Sequence, residues 1–197
     1  MYLYVYKFLP STQVEGPGER ACIYVQGCSI RCEGCITPQS WQKGINQKVN
    51  VKDIAETILQ GPEVEGVTFS GGEPFEQAKA LAKLGNILKN ENLSVVTFTG
   101  HVFEDIVKSS NADWHELLSI TDLLIDGPYM KNEFDLNHPW VGSSNQRYHF
   151  LTERYHHIQP TIHKIKNKIE IRLQDDGEIV VNGIIRQKNI KDLLDGI

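Results

Sequence analysis

From residue 20 to residue 125, short apolar runs alternate with amphipathic stretches, and this alternation limits the fold more than any other feature of the chain. Residues 20–26 (RACIYVQ), 66–69, 93–98 and 122–125 read as strands. Between them, Val51, Ile54, Ala55, Ile58 and Leu59 fall at helical spacing, as do Ala78, Leu81, Ala82 and Leu88 within residues 75–88. Residues 102–108 form a further short helical stretch. Strands alternating with helices imply a parallel sheet with right-handed crossovers. An extra strand is expected at residues 2–6. The tail breaks the pattern: residues 168–174 and 178–184 are β-rich and flank Asp175-Asp176-Gly177, the signature of a hairpin. Residues 126–145 form a long loop punctuated by Pro and Gly, and loops of that length in compact domains are functional or mobile.

With 197 residues, 40% of them apolar, the chain is long enough for one domain with a sizeable core and hardly long enough for two. No repeat or low-complexity linker divides it, so a single domain over residues 1–197 is expected, with a core at about 1–150 and the hairpin extension at about 151–197. Twenty Lys and Arg against 25 Asp and Glu leave a net charge of −5. That balance argues against an electrostatically driven nucleic-acid binder and against a polybasic membrane anchor. The opening MYLYVYKFLP is too short for a signal peptide's apolar core, and no stretch is apolar enough to span a bilayer, so a cytoplasmic location is expected.

Four cysteines in such a chain do not suggest a disulfide framework, so their spacing carries the information. Cys28, Cys32 and Cys35 form C-x3-C-x2-C within eight residues, in a loop after the first strand of the alternation. Three thiolates this close can converge on one metal centre. A structural zinc ion needs four ligands, with sulfurs on the order of 4 Å apart. Cys22 lies inside a strand, and at about 3.3 Å per residue it stands roughly 20 Å from Cys28, too far to be the fourth. His101 could take that place, so zinc stays open, as does a set of free buried thiols. The spacing also departs from the bacterial ferredoxin pattern of four cysteines per cluster. Three cysteines on a four-iron cluster leave one iron without a protein ligand, which suits a catalytic centre.

A second motif, Gly71-Gly72-Glu73-Pro74, follows the second strand. Paired glycines permit positive φ and let backbone approach a ligand closely. Beyond a strand's C-terminal end they face the rim where α/β barrels build their sites. An ordinary βα turn with Pro74 at the first helical position is the plainer reading.

The two motifs in this order resemble the radical S-adenosylmethionine (radical SAM) superfamily. Gly34 before the last cysteine, then Ser40-Trp41, is similar to a narrower group, the small anaerobic ribonucleotide reductase activating proteins. The likeness continues through Gly16-Pro17-Gly18-Glu19-Arg20, Val25-Gln26-Gly27, Leu124-Ile125-Asp126-Gly127-Pro128 and Ser143-Ser144-Asn145-Gln146-Arg147. The resemblance implies an incomplete (β/α) barrel with a C-terminal β-hairpin, and a [4Fe-4S] cluster on Cys28, Cys32 and Cys35. It implies that S-adenosylmethionine chelates the fourth iron and is cleaved reductively to methionine and a 5′-deoxyadenosyl radical. Gly34, Cys35, Ile36, Gly71, Gly72, Glu73, Thr99 and Asp126 are the implied cofactor-binding residues, with Glu73 a charge-assisted acceptor for the methionine ammonium. The implied partners are a glycyl-radical enzyme and a flavodoxin- or ferredoxin-type electron donor. Ser144, Asn145 and Arg147 could line a substrate mouth or be a solvated loop, and Arg31 could tune the cluster or dock a donor. Cys22 reads as a buried strand thiol, and His156 and His157 as solvated. Two other functions stay open: a radical SAM enzyme acting directly on a peptide, nucleotide or small metabolite, and a structural zinc or Fe–S module.

Overall fold

The computed structural model describes residues 1–44, 47–173, 177 and 179–184. Among the described residues, nine strands and four α-helices appear in the order β1 (Tyr2–Thr12), β2 (Arg20–Val25), β3 (Gln47–Asn50), α1 (Val51–Gln60), β4 (Gly66–Gly71), α2 (Ala78–Asn90), β5 (Ser94–Phe98), α3 (Phe103–Lys108), α4 (Ala112–Ile120), β6 (Leu123–Asp126), β7 (Arg147–Phe150), β8 (Ile169–Leu173) and β9 (Ile179–Gly183). Seven strands form one mixed sheet in the order β3-β1-β2-β4-β5-β6-β7. The four central strands run parallel, as the alternation implies, with Arg20 opposite Gly66 and Gly66 opposite Ser94. Antiparallel strands extend both sides, β1 and β3 on one and β7 on the other. The segment expected as one helix over 75–88 is two pieces. Pro74 starts a 3₁₀ turn at Pro74–Gln77 and α2 follows; Glu73 caps the turn by accepting from the Phe75 N–H.

Side-chain alternation along the strands divides the apolar residues between two faces. Ala21, Ile23, Val25, Val67, Phe69, Val95 and Leu124 pack under α1, α2 and α4. Val96, Leu123 and Ile125 point the other way, against Trp140, Val141 and Tyr155. At the N-terminal ends of the parallel strands lies Arg20, fully buried. Its guanidinium donates to Thr68 Oγ1 (2.8 Å), Val67 O (2.7 Å), Ser94 Oγ (3.0 Å) and Tyr155 Oη (2.7 Å), with no carboxylate partner among the described residues. This residue of the Gly16–Arg20 motif therefore rivets the floor of the sheet, not the site.

β8 and β9 pair as the expected hairpin, and the turn expected at Asp175-Asp176-Gly177 lies largely outside the described residues. The pair is tied to β1 by Thr12 Oγ1 donating to Glu170 (2.6 Å) and Lys7 Nζ donating to Asn182 Oδ1 (2.9 Å). No helix among the described residues is long and apolar enough to cross a membrane.

Candidate cluster and cofactor site

The parallel strands β2, β4, β5 and β6 end at one cavity of about 760 Å³, and the residue or loop following each lines it: Cys28, Gly72, Thr99 and Gly127. This is where parallel α/β sheets place their ligands, because the loops leaving the C-terminal edge are free to vary while the strands fix their roots. The volume falls within the roughly 300–1,000 Å³ of small-ligand sites.

Cys28, Cys32 and Cys35 all line this cavity and are each half-buried. Their loop is held at its base by Gly27 N–H to Ser40 O (2.7 Å) and Cys28 N–H to Trp41 O (3.1 Å). The residues of the second motif are sewn to it: Gly72 N–H donates to Val25 O and Glu73 N–H to Gly27 O, both at 2.8 Å. Gly71 takes φ +95°, and a Cβ there would stand 2.6 Å from the β2 backbone. A Cβ on Gly72 would stand 2.2 Å from Gly27 O. The close approach that needs these glycines is thus between the two motifs. Burial pushes the Cys28 and Cys32 thiols up, against backbone hydrogen bonds that favour the thiolates.

Glu73 is almost fully buried at the back of the cavity. Its carboxylate accepts from Phe75 N (2.9 Å), Thr99 Oγ1 (2.8 Å) and Gly100 N (2.9 Å), which joins the end of β4 to the end of β5. Desolvation nevertheless pushes its carboxyl up to about 7, with the three hydrogen bonds pulling the other way.

Gly34, Ile36 and Thr99 also line the cavity; Asp126 does not. Asp126 is fully buried and turned toward its cross-strand partner Arg147, whose Nε donates to it at 3.1 Å, and the Phe103 N–H donates at 2.6 Å. Burial works against its charge, but Arg147, Phe103 and His149 outweigh it and hold the carboxyl below the usual range. Arg147 also grips Glu104 (2.7 Å), so its guanidinium is engaged away from the cavity. Asn145 donates to Pro128 O (2.8 Å), and neither it nor Ser144 lines the cavity; the neighbouring Gln146 does. Arg31 is exposed at φ +51°. His101 packs on Trp114 (4.6 Å) and Phe75 outside the cavity, away from the thiols whose zinc it could have completed. Among the described residues no three His, Cys, Asp or Glu side chains gather tightly enough for a single metal ion. Cys22 is fully buried in β2, as expected, and His156 and His157 are exposed.

Several lining residues lay outside the sequence reading: Glu15, Tyr24, Phe98, Tyr129, Lys131 and Ile184; Trp140, which the sequence leaves as core or lid, lines the cavity too. Tyr24 was accessible to it, since it alternates with the core residues Ile23 and Val25 and must face the other way. Its hydroxyl donates to Glu15 at 2.7 Å, and burial pushes the Glu15 carboxyl up to about 7. Trp140 takes φ +63°, and its N–H donates to Asn167 Oδ1 (3.0 Å).

Residues 14–149 match the family described as a 4Fe-4S single cluster domain. A protein of Enterobacteria phage T4 named anaerobic ribonucleoside-triphosphate reductase-activating protein is 31% identical over 147 residues, 72% of this chain and 90% of its own length. The chain belongs to this family. A protein of the same name from Vibrio cholerae is 29% identical over 155 residues, 75% of this chain and 97% of that one. Among solved structures, QueE from Escherichia coli overlays with a TM-score of 0.44 at 23% identity, over 52% of this chain and 55% of that one, a likeness too slight to build on. The resemblance read from the motifs is thereby borne out, and the family match stops short of the chain's last 48 residues, which include a 3₁₀ segment at Glu153–Lys164 and the hairpin.

Proposed function

We propose that this chain is a radical SAM enzyme that installs a glycyl radical on a partner protein, a reading supported by relatives named as activating proteins of an anaerobic ribonucleoside-triphosphate reductase. The observation that carries the reading is the joining of the two motifs. The three-thiol loop and residues 71–73 are hydrogen-bonded to one another, and both open on one cavity at four parallel strand ends. In this reading the open sheet is an incomplete (β/α) barrel, with the hairpin part of the same single domain.

The residues fit the groups this function needs. Three thiols on one wall are soft donors suited to an iron–sulfur cluster, and their number leaves one iron open. Cys28, Cys32 and Cys35 would hold the cluster, and residues 34–36, 71–73 and Thr99 would hold S-adenosylmethionine. Together these groups would supply reductive, one-electron cleavage of the sulfonium to methionine and a 5′-deoxyadenosyl radical able to abstract hydrogen from a glycine. The chain's own part is to bind, orient and shield. Glu73 supplies negative charge for the methionine ammonium, and its three internal donors fix the carboxylate in advance, so little rearrangement opposes binding. Asp126 contributes by fixing the end of β6 through Arg147 and Phe103, which places Gly127 on the wall. Phe98, Tyr129, Trp140 and Ile184 line the cavity with apolar surface that limits water. A flavodoxin- or ferredoxin-type donor supplies the electron.

The test is anaerobic electron paramagnetic resonance of the reduced, iron-loaded chain with S-adenosylmethionine and an anaerobic ribonucleotide reductase. The expected result is a glycyl doublet on the reductase. No doublet, together with cofactor cleavage stimulated by a peptide or small metabolite, assigns the chain to direct modification instead.

A further inference from the structure

The proposed reaction consumes one electron for each S-adenosylmethionine cleaved, so a carrier must reach the cysteine loop while a substrate protein stands at the cavity. A second depression, about 520 Å³, lies on the other side of that loop. It shares no lining residue with the cavity, yet the two alternate along the same segments. Gln26 and Lys43 face the groove where Cys28 and Trp41 face the cavity, and Phe75 and Glu76 face it where Glu73 and Pro74 face the cavity. The segments 26–28, 41–43 and 73–76 thus line both.

We propose that this groove is the docking face for an acidic one-electron carrier protein, and that carrier and substrate protein bind opposite faces of the cysteine loop together. The inference rests on the activase reading above. Its warrant is the groove's surface and its connections. Tyr2 and Tyr4 are 54% and 36% exposed, side by side on the face of β1 opposite the buried Leu3 and Val5. A surplus cation stands beside those rings although the chain as a whole is acidic. Lys48 Nζ stands 4.4 Å from the Tyr2 ring, and Lys43 and Lys79 are exposed on the lining. Lys43 and Glu76 neutralise each other at 2.6 Å, which leaves Lys79 against Asp113 on the lining and Lys48 as the unmatched charge at its rim. Exposed aromatics with an unmatched lysine beside them complement an acidic partner, and the attraction steers its approach.

The groove is wired to the thiol loop. Glu76, held by Lys43, accepts from the Ser29 N–H, directly after Cys28. The Lys43 stem covers Gly27 so closely that a Cβ there would meet Lys43 Cγ at 2.9 Å. Gln77 bonds Tyr4 N and O at 2.8 Å and Gln26 O at 3.0 Å. A carrier seated on Tyr2, Tyr4 and Lys43 would give up one electron through this segment to the cluster that Cys28, Cys32 and Cys35 would hold; the carrier is oxidised and the cluster reduced by one electron, and no atom or proton crosses with it.

The experiment uses flavodoxin, an acidic flavoprotein, as the probe. Its binding to the iron-loaded chain is measured by calorimetry at two salt concentrations, and reduction of the iron centre by reduced flavodoxin is followed optically. Lys79 makes no hydrogen bond or ion pair among the described residues, so Lys79→Glu tests charge without disturbing the loop. It should weaken flavodoxin binding and slow reduction by roughly three- to tenfold, with the loss shrinking as salt rises. Dithionite-driven cleavage of S-adenosylmethionine should be unchanged. Tyr2→Ala should weaken flavodoxin with little salt dependence, Arg31→Glu should leave the affinity alone, and a saturating reductase partner should not displace the carrier. Unchanged affinity in both Lys79→Glu and Tyr2→Ala, no flavodoxin binding by the wild-type chain, or displacement by the reductase overturns the proposal. Failure of dithionite to drive cleavage in the wild-type chain overturns the activase reading beneath it.

Discussion

Gly72→Ala adds one methyl group, and the geometry makes its effect calculable. The new Cβ would meet Gly27 O at 2.2 Å, Gly27 C at 2.9 Å and Val25 O at 3.0 Å, all backbone, so no side chain can swing aside. Relief requires the two loops to part by about 1 Å, and forced overpacking of this kind costs about 1–3 kcal/mol. Parting also weakens the hydrogen bonds from Gly72 N to Val25 O and from Glu73 N to Gly27 O, worth about 0.5–1.5 kcal/mol each. The total, about 2–6 kcal/mol, corresponds to a fall in Tm of roughly 4–24 °C for a chain of this size. Because Gly27 adjoins Cys28, iron loading and cofactor affinity should fall together. Gly44→Ala is the contrast: its φ is +76° but nothing lies within 4 Å of the added Cβ, so only backbone strain of about 1 kcal/mol is expected. The assays are thermal unfolding by circular dichroism and iron per chain after anaerobic reconstitution. A Gly72→Ala chain that melts within about 2 °C of wild type and loads a full complement of iron would refute the steric reasoning.

Replacing Cys28, Cys32 or Cys35 by Ala should abolish stable iron loading, while Cys22→Ala should retain it; iron analysis decides, and the reverse result would sink the ligand assignment. Arg20→Leu should destabilise by about 3–5 kcal/mol in urea unfolding, since it strips partners from Thr68, Val67 and Ser94 in a dry site; a loss under 1 kcal/mol would show the rivet to be dispensable. The Glu73 carboxyl, pushed up to about 7 by burial, binds more protons folded than unfolded between about pH 4.5 and 7. Its contribution to stability is therefore full below pH 4.5 and is lost as pH rises toward 7, by up to about 3 kcal/mol. Glu73→Gln should flatten that part of the stability–pH curve, and an unchanged slope would mean that the carboxyl titrates normally in the fold.

The parts of the fold that were legible in the sequence are those where burial writes a period into the chain. The four parallel strands are nearly continuous apolar runs because both faces are covered, and α1 and α2 show their buried stripes. β3 and β7 carry no such mark: QKVN and RYHF lie at the margins of the sheet, exposed or half-buried, so neither alternation nor an apolar run appears. α4 was missed because only Leu117 and Ile120 are buried on it. In the site, the cysteine loop and residues 71–73 were legible because each is a local motif. Trp140, Lys131 and Ile184 come from distant segments that only the folded chain brings to the cavity. Asp126 shows how one hidden element alters a reading. At a strand end it should face the ligand rim, but the register that pairs β6 with the unseen β7 sets Arg147 opposite it, and the carboxylate turns to that charge.

The segment beyond the family match has a structural part that bears on what the cavity accepts. Tyr155 completes the Arg20 rivet through hydrogen bonds to the guanidinium and to Ser94 (2.6 Å) at the floor of the sheet. Asn167 holds the Trp140 N–H and also donates to Leu136 O (2.9 Å) and to His138 O (2.6 Å), which fixes the loop that carries Trp140 over the site. Gly183 and Ile184, at the end of β9, form wall on the side of Glu15 and Tyr24. The cysteine loop and residues 71–73, by contrast, fall wholly within the matched residues 14–149. The cavity is thus built almost wholly by the matched residues, Trp140 included, and among the described residues the tail adds Gly183 and Ile184 to its lining and Asn167 behind the Trp140 loop. A difference in the tail can therefore reshape one part of the cavity while the cysteine loop and residues 71–73 stay the same.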